Sequence, residues 1–137
     1  MKVCIVVVIG IACTTSFALK AQDARTVESP AERGKMVYEQ TCLPCHQADG
    51  SGVPNLAPPL IKGIFVNGDK KRLITILLQG LQDVEINGEY YANPMPAFDY
   101  LSDQEIADVL TYVRNHFSND ASPVHATEVM ETRKTKQ

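Results

Sequence analysis

The chain has 137 residues, a formal net charge of −3 and a pI of about 5.5. This length accommodates one small domain with tails. The acidic balance disfavours a nucleic-acid-binding protein, which would usually present a basic face. The sequence contains no tryptophan and few aromatic residues, so a core of this size would gain from a bound cofactor.

The beginning of the chain has the pattern of a secretory signal peptide. Lys2 precedes an apolar run from Val3 to Ala12, and small and hydroxyl residues follow that run. The run is too short for a membrane anchor, because a spanning helix needs roughly 20 apolar residues. We therefore expect cleavage after Ala18 or Ala21 and an exported, periplasmic protein whose mature chain is not inserted in a membrane.

Export would change the cysteine content. Cys4 and Cys13 would leave with the signal peptide, and the mature chain would keep Cys42 and Cys45. One close pair of cysteines cannot build a disulfide scaffold. Lipid anchoring at Cys13 is not expected, because "GIAC" lacks the leucine that normally stands three residues before a lipidated cysteine.

A capping box marks the beginning of the first predicted helix. Ser29 and Glu32 have the required spacing, and Pro30 stands at the first helical position, where proline is favoured. The helix is predicted to run into the cysteine pair at Cys42. The polar residues 22–30 that precede it are interpreted as a flexible arm.

Two further helices are predicted later in the chain. The segment Asp69–Gln82 has apolar residues at helical spacing, with Gly80 as a stop signal. The segment that begins at Ser102, with Glu105 completing a second capping box, is the clearest helix of the sequence. The apolar stripes comprise Leu73, Ile74, Leu77, Leu78 and Leu81 in the first of these helices, and Ile106, Val109, Leu110, Val113 and Phe117 in the second.

Loops occupy most of the remaining chain. The segment Asp49–Gly63 is rich in glycine and proline and is long for a loop in a compact domain, and such loops are usually functional or ordered by something they wrap. The pair Asn87–Gly88 between apolar residues predicts a short hairpin. The polar end contains "TEVMETRK", which is compatible with a short terminal helix. The predicted fold class is all-α.

The stretch "TCLPCHQ" contains Cys42, Cys45 and His46 in a C-x-x-C-H pattern. A structural zinc site needs four ligands, usually as two separated pairs, and the chain has no second close pair of cysteines. A thioredoxin-like dithiol needs a βαβ setting, which helices and loops do not provide. Covalent haem is the third chemistry: two thiols about one helical turn apart reach two vinyl groups of one porphyrin, and the adjacent imidazole coordinates the iron.

Met95 is the candidate for the second axial iron ligand. It lies in "NPMPAF", where prolines on both sides stiffen the backbone, and a thioether ligand favours reduced iron. Met36 lies just ahead of the cysteine pair, too near to reach the far face of the ring, and Met130 lies in the polar tail. His116 and His125 are alternative sixth ligands, although both are expected to face solvent.

Three segments occur in the order and at the distances typical of one family: "GKMVYEQTCLPCHQADGSGVPNLAPPLIKG", "MPAF" and "LSDQEIADVLTYVRNHF". The chain resembles a class I c-type cytochrome, a small mono-haem cytochrome c. The resemblance implies the cytochrome c fold, in which three main helices and loops wrap around one covalently bound haem c. It implies that Cys42 and Cys45 carry the haem and that His46 and Met95 are the axial ligands of its iron.

The same resemblance assigns further residues to the haem pocket. The carbonyl of Pro58 would accept a hydrogen bond from the ligand histidine, with Pro59 as the alternative. Leu60 would press on the ring, and Tyr38 would also belong to the pocket. Gln47 departs from the family, in which glycine is frequent after the histidine, but we expect no loss of haem binding from this difference.

The resemblance also predicts how the first and last helices cross. Gly34 and Tyr38 are expected to meet Val109 and Tyr112, because a glycine lets two backbones approach closely. The predicted organisation is then a cytochrome c domain between two tails. Its segments are the signal peptide (1–21), the flexible arm (22–30), the cytochrome c domain (31–118) and the polar C-terminal tail (119–137).

A six-coordinate haem iron has no open position for a substrate, so we expect a one-electron carrier and not an enzyme. The segment "GLQDVEINGEYYANPMPAF" resembles cytochromes that are subunits or fused domains of periplasmic dehydrogenases and of copper nitrite reductases. The expected partners are redox proteins: a periplasmic dehydrogenase or respiratory complex as donor, and an oxidase or nitrite reductase as acceptor. The alternative functions are a haem-based sensor or redox enzyme with a displaceable sixth ligand, and a structural zinc module.

Overall fold

The computed structural model describes residues 29–135, so the predicted signal peptide and most of the predicted arm lie outside the described residues. The described part is mainly helical, with one two-stranded antiparallel hairpin. None of its helices has the length and apolar character needed to cross a membrane. The elements are α1 (Pro30–Thr41), α2 (Leu43–His46), α3 (Ile64–Asn67), α4 (Lys70–Gln79), β1 (Val84–Ile86), β2 (Glu89–Tyr91), α5 (Asp103–Arg114) and α6 (Ala126–Lys134).

Both predicted capping boxes are confirmed. At the beginning of α1, the Ser29 hydroxyl accepts from the Glu32 amide (3.2 Å), and the Glu32 carboxylate accepts from the Ser29 amide (2.7 Å). Ser102 and Glu105 make the same reciprocal pair before α5, at 3.2 and 2.8 Å. Each cap satisfies backbone donors that the first helical turn leaves unpaired, a contribution of about 1 kcal/mol.

The stop signal predicted at Gly80 is confirmed, because α4 ends at Gln79 with Gly80 as its C-cap, and Leu81 and Gln82 at the end of the predicted segment lie outside the helix. Gly80 follows in a left-handed conformation (φ 75°), and a methyl group there would overlap the carbonyl oxygen of Met95. Leu81, predicted to lie on the apolar stripe, is therefore outside the helix. Its backbone pairs instead with that of Met95, through hydrogen bonds of 3.1 and 2.7 Å.

The prediction that α5 continues to Phe117 is wrong, because the helix ends at Arg114. Phe117 takes a positive φ of 55°, which turns the chain back on itself. Its ring lies 5.3 Å from the ring of Tyr38 and 5.9 Å from that of Tyr112, measured between centroids. The apolar side chain is thus partly buried, but through a turn and not through a longer helix.

The predicted crossing of the first and last main helices is present between α1 and α5. A methyl group on Gly34 would overlap the carbonyl oxygen of Asp108 and approach Cβ of Tyr112 to 2.8 Å, so only glycine permits this approach. The rings of Tyr38 and Tyr112 lie 5.5 Å apart beside it. Arg33 makes two hydrogen bonds to the buried Asp108 carboxylate, at 2.7 and 3.0 Å, which fix the angle of the crossing.

The predicted hairpin and a terminal helix are both present. Asn87 and Gly88 have positive φ angles of 54° and 83°, as a tight turn between antiparallel strands requires. Helix α6 packs on α4 and α5, and Val129 on its inner face is 0% exposed. The short helix α3 lies directly after the glycine- and proline-rich loop, where no helix was predicted.

Candidate haem site

An apolar cavity between α4, α5 and the loops around His46 and Met95 brings together most of the predicted site residues. A second cavity shares part of this wall and adds the Cys45 side, so that the two form one cleft. Among the predicted residues, Cys42, His46, Pro58, Leu60 and Met95 line the first cavity, and Cys42, Cys45, His46, Pro58 and Met95 line the second.

The cysteine pair lies on one tight helical turn. The carbonyl of Cys42 accepts hydrogen bonds from the amides of Cys45 (3.1 Å) and His46 (2.9 Å). This turn brings Cys42, Cys45 and His46 together in the wall of the second cavity. Both thiols are free, and Cys45 is exposed while Cys42 is half-buried. Neither thiol is therefore committed to a disulfide within the described chain.

His46 is held in one orientation by the loop on the other side of the cleft. Its side chain is buried, with 8% of the residue exposed, and its Nδ1–H donates to the carbonyl of Pro58 (3.0 Å). The structure thus selects Pro58 over Pro59 for this bond. Burial lowers the pKa of His46, while the bond to Pro58 raises it. A neutral imidazole that donates through Nδ1 keeps the lone pair of Nε2 for a metal ion.

Backbone hydrogen bonds hold the glycine- and proline-rich loop beside His46. The Gly52 amide donates to the His46 carbonyl (3.1 Å), and the Leu60 amide donates to the Gly50 carbonyl (2.8 Å). Gly52 has a positive φ of 69°, and a side chain there would overlap the carbonyl of Ala57. The loop is therefore ordered by its own backbone, and this order places the Pro58 carbonyl opposite the imidazole.

Met95 is partly buried, and its backbone is fastened to the segment that follows α4. The two hydrogen bonds with Leu81 secure its own amide and carbonyl, and the Phe98 amide donates to the Leu77 carbonyl (2.7 Å). Leu77, Leu81, Met95 and Phe98 all line the first cavity. A thioether held by this rigid loop is a suitable soft donor for haem iron.

Tyr38, assigned to the haem pocket from the sequence, is not among the residues that line either cavity. It is buried behind the site, where its hydroxyl donates to the Gln47 carbonyl (2.7 Å). Gln47 follows the ligand histidine with φ 63° and ψ 165°, a region that only glycine adopts without strain. The glycine frequent at this place in the family thus has a local conformational reason, and Gln47 retains the same backbone at a cost.

Other chemistries for the cysteine pair find little support in residues 29–135. Burial raises the pKa of the Cys42 thiol, whereas a reactive dithiol needs a lowered one. No group of three or more His, Cys, Asp or Glu side chains in this part of the chain is arranged to hold a metal ion, as a zinc module would require. His116 and His125 are exposed and line neither cavity.

The sequence interpretation missed several residues of the cavity wall. Val66 from α3 and Ile86 from the hairpin line the first cavity, and Val84 and Tyr91 line the second. The alternation in "VEI" and "EYY", with exposed Glu85 and Tyr90 between the inward residues, was the available signal. The wall is thus apolar on the hairpin side also, and it fits a large planar apolar group with donors at Cys42, Cys45, His46 and Met95.

Comparison with known proteins agrees with this donor set. The family described as Cytochrome c matches residues 31–117. Cytochrome c-552 of Thermus thermophilus is 34% identical over 113 residues, which cover 75% of this chain and 86% of that protein. The gluconate 2-dehydrogenase cytochrome c subunit of Pantoea cypripedii is 35% identical over 108 residues, 76% of this chain but only 24% of the subunit.

A third relative, the Cbb3-type cytochrome c oxidase subunit CcoP of Azospirillum brasilense, is 33% identical over 106 residues, 72% of this chain and 32% of the subunit. The family match spans more than half of the chain and includes the C-x-x-C-H stretch and Met95. Haem c, with its iron, is the cofactor of this family. The chain therefore belongs to the cytochrome c family and is an electron-transfer protein and not an enzyme.

Proposed function

We propose that the chain carries single electrons through a haem c joined to Cys42 and Cys45, with His46 and Met95 as the two axial ligands of its iron. The observation that carries this proposal is the common cleft of all four side chains, together with the hydrogen bond from His46 Nδ1 to the Pro58 carbonyl. When bound, the haem supplies an iron that accepts and returns one electron.

The residues of the site have separate roles in this proposal. Cys42 and Cys45 would hold the haem covalently through thioether bonds, which would prevent loss of the cofactor. Pro58 keeps the His46 ring oriented and its Nε2 unprotonated. Leu60 and the apolar residues of α4 and α5 exclude water, which favours a group of low charge. With both axial positions filled, no position remains for a substrate.

We further propose that the protein is exported and exchanges electrons with a larger redox protein. The relatives include cytochrome c subunits of a gluconate 2-dehydrogenase and of a quinone alcohol dehydrogenase from Gluconobacter oxydans, and a subunit of a cbb3-type oxidase, which supports a partner of one of these classes. The hairpin beside the cleft carries the carboxylates of Asp83, Glu85 and Glu89. These negative charges favour a partner with a basic patch, and added salt should weaken the encounter.

Haem staining of a denaturing gel tests the attachment. The exported wild-type protein should keep its haem under denaturing conditions, Cys42→Ser and Cys45→Ser together should lose it, and a wild-type band without stain would contradict the proposal.

Purified quinoprotein alcohol and gluconate dehydrogenases then test the partner class. Reduction of the haem by substrate-supplied enzyme should slow as salt is raised, and failure of all of them to reduce it would remove the dehydrogenase part of the proposal.

Charge at the hairpin has a matched control. Glu85 lies on the hairpin that lines the cleft, whereas Glu131 is an exposed carboxylate on α6, whose residues line neither cavity. Glu85→Gln should slow reduction at low salt more than Glu131→Gln does, because each removes one charge but only the first removes it beside the cleft. Equal rates for the two variants would contradict docking at the hairpin.

A further inference from the structure

We propose that Arg133, on the terminal helix α6, is a positioning residue that holds the Met95 loop, residues 93–98, closed over the haem site. This inference rests on the proposed function, because it requires Met95 as an iron ligand. Helix α6 lies after residue 117, where the match to the family ends. The consequence is that a segment outside the matched region controls how readily an external ligand replaces Met95.

The Arg133 side chain spans the segment that connects the Met95 loop to α5. Its Nη1–H donates to the carbonyl of Asp99 (2.8 Å), and its Nη2–H donates to the carbonyl of Leu101 (2.9 Å). Its Nε–H donates to the carboxylate of Asp103 (2.9 Å), the first residue of α5. The planar fork of a guanidinium suits three acceptors in fixed positions, which a flexible ammonium group would satisfy less well.

The acceptors of Arg133 are coupled to the wall of the haem cleft. Leu101 lines the first cavity, and its amide donates to the carbonyl of Phe98 (3.1 Å), which lines both cavities. The bonds of Met95 with Leu81, and of Phe98 with Leu77, fasten the beginning of the loop to the α4 side. Arg133 holds the segment that directly follows the loop, at Asp99 and Leu101, from the α6 side. Displacement of Met95 that swings this loop outward must break the bonds of Arg133 to the two carbonyls.

Helix α6 is seated firmly enough to restrain the loop. Val129 is 0% exposed against the core. Val124, just before the helix, exchanges two hydrogen bonds with the Thr111 hydroxyl, at 3.1 and 3.0 Å. Glu128 forms an ion pair with Lys70 at the beginning of α4 (3.2 Å). The terminal helix is thus fixed to α4 and α5, and Arg133 extends that fixed body to the ligand loop.

Imidazole binding to the ferric, haem-loaded protein measures how easily the loop opens. In the wild-type protein, opening breaks the two bonds from Arg133 to backbone carbonyls, and in Arg133→Gln those bonds are already absent. The apparent imidazole association constant should therefore rise about tenfold, the ratio that corresponds to roughly 1.4 kcal/mol. The readout is loss of the long-wavelength charge-transfer band of methionine-ligated ferric haem.

Lys70→Gln is the matched control. It removes the ion pair between α4 and α6, and within residues 29–135 the hydrogen bonds of the Lys70 ammonium go to Glu128 and not to the Met95 loop. Its imidazole affinity should stay within about twofold of the wild-type value. Arg133→Lys, which keeps the charge but not the planar fork, should bind imidazole more tightly than wild type and less tightly than Arg133→Gln.

Two results would overturn the role of Arg133. One is wild-type imidazole affinity in both Arg133 variants. The other is an equal rise in Lys70→Gln, which would mean that any loosening of α6 has the same effect. Both presuppose that the wild-type protein shows the charge-transfer band. If that band is missing from the wild type, the His46 and Met95 ligand set is itself wrong, and this failure is distinguishable from the first two.

Discussion

Replacement of Gln47 by glycine should stabilise the protein, although it removes a side chain next to the ligand histidine. The backbone conformation of Gln47 (φ 63°, ψ 165°) costs a residue with a Cβ atom about 1–3 kcal/mol. Glycine avoids most of this strain. It also makes the unfolded chain more flexible, and this entropy offsets about 0.4–1 kcal/mol of the gain in stability. The lost side-chain bond to the Pro44 carbonyl is long (3.3 Å) and exposed, so it contributes little.

The net expectation for Gln47→Gly is a gain of about 1 kcal/mol in the free energy of unfolding, or about 4 °C in the melting temperature. Denaturant unfolding of the haem-loaded protein measures it, with an unchanged m-value. Gln40→Gly is the matched control: Gln40 is exposed within α1, and glycine there should lose about 0.5–1 kcal/mol. A Gln47→Gly protein that is no more stable than wild type would refute the strain argument.

Two other substitutions probe the helices. Gly34→Ala should destabilise the protein by about 3 kcal/mol, because the new methyl group would overlap the Asp108 carbonyl and the backbone at that contact cannot move aside; unchanged denaturant stability would contradict the close crossing. The hydrogen bonds from Ser102 lower the pKa of Glu105. The stability that these bonds supply is complete above the ordinary glutamate pKa and is lost as the pH falls through the lowered pKa. Glu105→Gln should therefore reduce the fall in the free energy of unfolding at acid pH. A fall as steep as in the wild type would count against this reasoning.

Local signals were read correctly from the sequence. The capping boxes depend on residues three apart, and the hairpin depends on one Asn–Gly pair, so neither requires knowledge of distant contacts. The C-x-x-C-H stretch likewise occupies one helical turn. For the same reason Cys42, Cys45 and His46 could be grouped before their common cleft was seen.

Features decided by distant contacts were missed or misplaced. The end of α5 depends on a turn at Phe117 that brings its ring against Tyr38, far away in sequence, and the pairing of Leu81 with Met95 is another such contact. The bonds of Arg133 go mainly to backbone carbonyls, which carry no signal in side-chain identity. A positively charged residue in a polar tail therefore gave no indication of its structural role.

The account depends most on Met95 as an iron ligand. The long-wavelength charge-transfer band of the ferric protein, compared between wild type and Met95→Ala, tests this directly. Met36 is an exposed methionine on α1, so Met36→Ala serves as the matched control. The account predicts the band in the wild type and in Met36→Ala and its loss in Met95→Ala, which should then bind carbon monoxide rapidly when reduced. A band that survives in Met95→Ala, or a wild-type protein that lacks it, would contradict the closed ligand set and the function built on it.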